Sequence, residues 1–405
     1  MNFNSFNSFD LNPTLLSNVH ALGYVTPTPI QSQSIPSILL GKDVMGLAQT
    51  GTGKTAAFAL PILQRLMQGP RSCVRALIIA PTRELAQQIH DAIVELSRGT
   101  RLRSVTLFGG VNINPQISSL KHGVEIVVAC PGRLLDHLQQ RTLDLSKVEV
   151  LVLDEADHMF DMGFLPDIRR ILRYLPKQRQ TLLFSATMPD AIHDLAQDVL
   201  HKPLKVQIGH SAPATSVKQA LFPVPQHLKA ELLIHILNKT PKESVLVFTR
   251  TKHSAKKVAL KLEKAGFRAT SLQGNLSQNK RQSAMSGFRD GSLQILVATD
   301  IASRGIDVSS ISHVINYDIP STVDIYIHRI GRTGRAAKEG EAFTLITQED
   351  QSEVRAIERV LGKKIEQRKF DDFNYAAAAP TRSLMNVATR KPTQQKHRDH
   401  RRNKK

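Results

Sequence analysis

Phosphate chemistry is the first thing the residues suggest. The segment Ala48-Gln49-Thr50-Gly51-Thr52-Gly53-Lys54-Thr55 follows a short strand and opens a helix, and its glycines let consecutive backbone N–H groups turn toward phosphate oxygens. Lys54 is placed to reach β and γ phosphates, and the Thr55 hydroxyl to ligate Mg²⁺. The strict GxxxxGK[ST] pattern fails at Ala48, so a glycine-rich turn before a helix stands as the other reading. Downstream, Asp154-Glu155-Ala156-Asp157 comes directly after the apolar run Val148 to Leu153. An Asp at a strand end can hold Mg²⁺, and the adjacent Glu155 can accept a proton from, or orient, the water that attacks a γ phosphate. An acidic helix N-terminus would look the same in isolation. A third segment, His328-Arg329-Ile330-Gly331-Arg332-Thr333-Gly334-Arg335, has no lysine for a second cradle. Its Arg332 and Arg335 suit the role of fingers on phosphoryl charge, and taken alone it reads equally as a solvated basic turn.

These groups need a scaffold that gathers them. Short β-branched runs at Val74 to Ala80, Val124 to Ala129, Val148 to Leu153 and Thr181 to Phe184 alternate with helical patterns, which is a βαβ rhythm. It restarts at Val245 to Thr249, Gln294 to Ala298, His313 to Tyr317 and Glu341 to Ile346, after the small, polar segment 209–216. The expected fold is α/β: two tandem domains, each a mostly parallel sheet with helices on both faces and ligands at the carboxyl ends of the strands. The expected boundaries are a first domain at 1–208, a linker at 209–216, a second domain at 217–369, and a basic, disordered tail at 370–405.

Composition agrees with two domains and a polyanionic partner. A chain of 405 residues exceeds what one hydrophobic core usually serves. The net charge of +19 draws it toward nucleic acid. Pro380 to Lys405 holds nine Lys/Arg and one acid, which leaves +11 on the remainder, so the basic bias is not confined to the tail. A solvated positive surface would give the same totals. No apolar run approaches the roughly 18 residues of a membrane span. The first 41 residues lack Lys and Arg, and the two cysteines, Cys73 and Cys130, have no near neighbour. A cytoplasmic, disulfide-free protein is expected.

From about Phe9 to Ile365 the ordered motifs resemble the DEAD-box family of RNA helicases. They run Gly23-Tyr24-Val25-Thr26-Pro27-Thr28-Pro29-Ile30-Gln31, the cradle, Pro81-Thr82-Arg83-Glu84-Leu85-Ala86, Gly109-Gly110, Pro131-Gly132-Arg133, the acidic run, and Ser185-Ala186-Thr187. Then follow Gln278 with Arg281, Ala298-Thr299-Asp300, Arg304-Gly305-Ile306-Asp307, and the arginine-rich loop. In detail the chain most resembles the bacterial RhlE-type subgroup. The resemblance implies two RecA-like domains and an RNA-stimulated ATPase that unwinds short RNA duplexes or remodels RNA–protein complexes. An ATP-gated RNA clamp or chaperone without strand separation uses the same residues, and a DNA-directed motor is the other reading.

It further implies residue roles. Gln31 is expected on the adenine edge with Tyr24 stacked on the ring, and Asp307 near the ribose. Asp157, Ser185, Thr187 and His328 are implied to couple nucleotide state to domain closure. Thr82, Arg83, Gly110 and Arg133 on the first domain, with Arg281 and Thr299 on the second, are implied to hold one RNA strand by its backbone with little sequence preference. Two positions depart from the family pattern: Cys130 stands where Thr is common, and Gln273 where His is common, which puts a hydroxyl contact to RNA at position 130 in doubt.

Overall fold

The computed structural model describes residues 5–49, 51–208, 217–240, 244–300, 311–334 and 340–378. The expectations for Thr50, Asp307, Arg335, the linker 209–216 and the tail from 379 onward lie outside the described residues.

Two seven-stranded sheets account for the architecture. The first contains β1 (Val44–Leu47), β2 (Ala76–Ile79), β3 (Ser104–Leu107), β4 (Ile126–Ala129), β5 (Val150–Leu153), β6 (Gln180–Ser185) and β7 (Leu204–Gln207). The second contains β8 (Val217–Pro223), β9 (Ser244–Phe248), β10 (Ala269–Leu272), β11 (Ile295–Ala298), β12 (Ile311–Asn316), β13 (Gly340–Ile346) and β14 (Glu366–Gln367). Their orders are β3-β4-β2-β5-β6-β1-β7 and β10-β11-β9-β12-β13-β8-β14. Counted from the first strand of each sheet, the two orders are identical. Every strand pairing described is parallel. The repetition suspected from rhythm is therefore one of topology, carried by sequences that share little by eye.

Parallel pairing forces both faces of each sheet to be covered, and it explains the continuous apolar runs. On one face of the first sheet, Ile78, Val128, Val152 and Phe184 pack with Phe58 and Leu63 of α3 (Lys54–Leu66) and Ile89 of α4 (Arg83–Leu96). On the other, Leu77, Val127 and Leu151 pack with Leu134 of α6 (Pro131–Gln139) and Met159 of α7 (Ala156–Asp161). The second sheet is covered likewise, by α10 (Lys229–Lys239) and α11 (Lys252–Lys264) on one face and by α12 (Gln278–Arg289), α13 (Val323–Ile330) and α14 (Gln351–Leu361) on the other.

Register sets the height of the chemical groups. Leu47 pairs with Ser185 and Ile79 with Leu153, so the cradle, Asp154 and the Ser185–Thr187 turn all leave the sheet at one end. Each is the carboxyl end of a parallel strand.

The second domain continues past the boundary expected at 370. Phe370 stacks on Phe222 with centroids 5.5 Å apart and planes at 12°, and Phe373 and Tyr375 join the same core. Asp372 pairs with Lys239 at 2.7 Å, and the Ala377 carbonyl lies 2.8 Å from His227 Nε2. Residues 370–378 thus belong with the second sheet and not with a disordered tail, because three aromatic side chains supply apolar surface that the later sequence lacks.

Candidate nucleotide and nucleic-acid sites

The cradle is held by contacts from three directions. Gly51 and Gly53 have φ of +84° and +94°, a region open to glycine at little cost. A Cβ on Gly53 would meet Gln31 Nε2 at 2.5 Å. Lys54, 6 % exposed, donates from Nζ to the Ala48 carbonyl at 2.8 Å, and Thr52 Oγ1 donates to the Gln49 carbonyl at 2.7 Å. Ala48 itself is buried in the core, and its N–H donates to the Ser185 carbonyl at 3.0 Å. The departure at position 48 leaves the loop intact because that residue contributes its backbone.

Gln31 lies on the third turn-forming position of α2 (Pro29–Leu39). Its Oε1 accepts from the Thr28 N–H at 2.9 Å and its Nε2 donates to the Gly53 carbonyl at 3.1 Å. The amide thereby ties the Gly23–Gln31 segment to the cradle, and each of its two atoms keeps one further bonding position. Tyr24 stacks on Phe6, with centroids 6.2 Å apart.

The acidic run begins where β5 ends. Glu155 has φ +52°, a left-handed conformation that costs a non-glycine residue about 1–3 kcal/mol and marks functional turns. Burial pushes the Asp154 carboxyl up to about 6, against the opposing pull of Lys54. Burial would raise Glu155 as well, but the charge and hydrogen bond of His158, then Lys54 and Arg332, outweigh it and draw it down to about 2. Arg332, from the second domain and 5 % exposed, therefore acts on a carboxylate of the first.

The implied coupling residues are brought together. Asp157 Oδ2 accepts from the Ala186 N–H at 3.2 Å, the Thr187 N–H at 2.9 Å and Thr187 Oγ1 at 2.9 Å. Ser185 Oγ accepts from the Asp157 N–H at 3.1 Å and donates to the Thr187 carbonyl at 2.7 Å. The Asp157 carboxyl lies below its usual range: burial opposes this, and His158, His328 and the Thr187 hydrogen bonds prevail.

All six residues implied to hold RNA line a single cleft of about 830 Å³ between the domains, together with Cys130, Arg250 and Lys252. Thr82 caps α4, its Oγ1 accepting from the Leu85 N–H at 3.2 Å. Gly110 has φ +75°, and a Cβ there would run into the Arg83 guanidinium. Arg133 donates to the Val111 carbonyl at 3.0 Å, while its buried Nε and Nη1 find no hydrogen-bond partner among the described residues. Gln273 turns inward, Oε1 accepting from the Asn275 N–H at 2.8 Å, and its carbonyl takes a bond from Arg281 at 3.4 Å.

Several partners escaped sequence reading. Arg281 Nε donates to Glu84 Oε1 at 2.7 Å and Arg83 donates to Gln278 Oε1 at 3.1 Å, both across the cleft. Arg329 clasps Asp300 through two bonds of 2.6 and 2.8 Å, reaches the Asn316 side chain and the Asp318 carbonyl, and lies over the Phe248 ring. That guanidinium pins α13 to the ends of β9, β11 and β12, and so fixes where His328 and Arg332 emerge. Most of these residues stand within the quoted motifs, but motif membership says nothing of which pairs with which.

Comparison with known proteins meets this geometry. The family model for DEAD/DEAH box helicases matches residues 28–195, and that for the helicase conserved C-terminal domain matches 228–337. The DEAD-box ATP-dependent RNA helicase RhpA of Helicobacter pylori is 44 % identical over 364 residues, which is 89 % of this chain and 73 % of the relative. Saccharomyces cerevisiae Dbp5 bound to RNA and ADP BeF3 superimposes with a TM-score of 0.81 at 29 % identity, covering 91 % of this chain and 96 % of that one. A DEAD box protein from Methanococcus jannaschii, 38 % identical over 90 % of this chain and 99 % of its own, gives 0.52. Over the whole chain the superposition is thus better on the RNA- and nucleotide-bound yeast protein than on a relative of greater sequence identity. The chain belongs to the DEAD-box family of ATP-dependent RNA helicases.

Proposed function

We propose that this chain is an RNA-stimulated ATP hydrolase whose two domains close over one ATP and one RNA strand, separating short duplexes or remodelling RNA–protein complexes. The observation that carries the reading is electrostatic: Glu155, at the end of a first-domain strand, is influenced by Lys54 of its own domain and by Arg332 of the other. One acidic centre faced by cations from both domains is what a shared phosphate site requires.

The roles follow. The cradle N–H groups and Lys54 bind the phosphates, and Gln31, Tyr24 and Asp307 are assigned to the nucleoside. Hydroxyl and carboxylate oxygens from Thr55 and Asp154 suit a hard dication, and a buried carboxyl raised to about 6 fits a cationic partner. Mg²⁺ held there would neutralise phosphate charge. Glu155 orients the attacking water or takes its proton through Oε1, which is buried and has no hydrogen-bond partner among the described residues. Arg332 and Arg335 complete the site from the second domain as charge-stabilising fingers, a contribution on the order of 10³–10⁵ in rate. Hydrolysis then depends on closure.

RNA enters the same equilibrium through the cleft. Backbone contacts from Thr82, Arg83, Gly110, Arg133, Arg281 and Thr299 hold one strand, and Arg250 and Lys252 add charge beside them. A strand bent to fit both domains cannot keep its partner, so a short duplex opens locally. By linkage, RNA tightens ATP binding by the factor with which ATP tightens RNA binding. The basic tail is assigned to non-specific RNA tethering, the RhlE-type subgroup to the chain as a whole, and the cytoplasm to its location. Among the described residues no helix is long and apolar enough to cross a membrane.

RNA-stimulated ATPase is the test. Lys54→Ala and Glu155→Gln should each abolish turnover, and full turnover in either would refute the assigned chemistry. Strand displacement from a short duplex in the same preparation separates a helicase from a clamp, because a clamp binds RNA with ATP and releases no strand.

A further inference from the structure

His158 comes directly after the acidic run and has no part in the assignments above. Its side chain is buried, 5 % exposed, and its Nδ1 lies 2.8 Å from Glu155 Oε2. The left-handed backbone of Glu155 and the first turn of α7 put these two residues on one side, three positions apart. With Oε2 occupied, Oε1 is the carboxylate oxygen without a hydrogen-bond partner.

The same ring also meets the other domain. His158 and His328 pack edge to face, centroids 5.4 Å apart and planes at 88°. Both line a small interdomain pocket with Arg329 and Arg332. One imidazole therefore touches the carboxylate of the first domain and the arginine-bearing helix end of the second. Ligand atoms of Asp157, His158 and His328 lie within 4.8 Å of one another, a spacing also suited to a metal ion. Asp157 Oδ2 already accepts three donors and Oδ1 a fourth, from the His158 N–H, which makes the trio a hydrogen-bonded and packed contact in place of a ligand set.

We propose that His158 is a positioning residue that fixes the Glu155 carboxylate through Oε2 and is itself held by His328, so that alignment of Oε1 is completed by domain closure. This rests on Glu155 acting on the attacking water. A carboxylate on a free side chain samples several rotamers, and holding one oxygen selects the orientation of the other. A partner that orients a catalytic base, as the third member of a triad does, acts on turnover more than on substrate binding.

The experiment uses the whole 405-residue chain in four proteins: the parent, Glu155→Gln, His158→Ala and His158→Asn. Steady-state ATPase is measured against ATP at saturating RNA, then against RNA at saturating ATP, with thermal melting of each protein. Glu155→Gln should be inactive. His158→Ala should lose kcat at least about tenfold, a part of the roughly 10²–10⁴ that a positioned base supplies in all, with the ATP KM held within about twofold. His158→Asn, whose Nδ2 donates from nearly the place of Nδ1, should recover most of kcat yet require more RNA for half-maximal stimulation, since it has no ring for His328. An inactive Glu155→Gln beside a fully active His158→Ala would overturn the positioning role and leave the base reading intact. So would a His158→Asn as slow as His158→Ala with unchanged melting. An active Glu155→Gln would strike the base reading first.

Discussion

The segments around Lys54 and around Asp154 and Glu155 stand out in the sequence as candidate phosphate chemistry, because a cradle and a strand-terminal acidic pair are local patterns. What spacing does not disclose is the state each group is held in. Asp154 and Glu155 are adjacent and both buried, yet one carboxyl is pushed up to about 6 and the other drawn down to about 2, because His158 serves only the second. Cys130 is another case. It borders the interdomain cleft, but burial, and then Glu84, push its thiol up to about 12 against the pull of Arg83. The reactive thiolate forms only as pH rises through that value, so at pH 8 almost none exists. Iodoacetamide at pH 8 should modify Cys130 at least about a hundredfold more slowly in the folded protein than in the unfolded chain. Peptide mass spectrometry after timed quenching checks this, and equal rates would show that the thiol is not held neutral.

At the scale of elements, the strands legible in advance lie in the body of each sheet, although β8, which sits between β13 and β14, falls in no named run. β2, β4, β5 and β6, then β9, β11, β12 and β13, each overlap a named apolar run, since a strand buried on both faces reads as continuous Val, Ile and Leu. The edge strands β3, β7, β10 and β14 gave no such signal. β7 is exposed at three of its four positions and β14 at both of its two, so their pattern is that of surface chain. β14 lies inside the expected second domain without a strand signal, and only the aromatic segment after it, from Phe370, fell to the expected tail. That segment is a strap on the second domain, with Phe370 between Phe222 and His235, whose ring centroid lies 4.8 Å away. Phe370→Ala should lower the stability of the second domain by about 2 kcal/mol, less than a fully buried Phe because this ring is partly exposed. Urea unfolding followed by circular dichroism measures the loss, and an unchanged midpoint would mean that the strap contributes no stability.

At the scale of the whole molecule, what the sequence withheld lies between the domains. Glu84 with Arg281, and Arg83 with Gln278, are 197 and 195 residues apart, and no local rule pairs them. Motif order could say which residues share a function, while only the folded arrangement says that two of the implied RNA-binding arginines are bonded across the cleft. The Arg281–Glu84 pair is largely buried, 12 % exposed on each side, so an RNA phosphate taking Arg281 must compensate Glu84 or let it reach water. On the proposed reading, closure, RNA and nucleotide share one equilibrium. The most direct measurement is a crystal structure of the chain with single-stranded RNA and ADP-beryllium fluoride. The Arg332 guanidinium should stand within hydrogen-bond distance, about 3 Å, of the fluoride that occupies the terminal phosphoryl position, with Lys54 on the opposite side. Arg332 turned to solvent in that complex would contradict a phosphate site shared by the two domains.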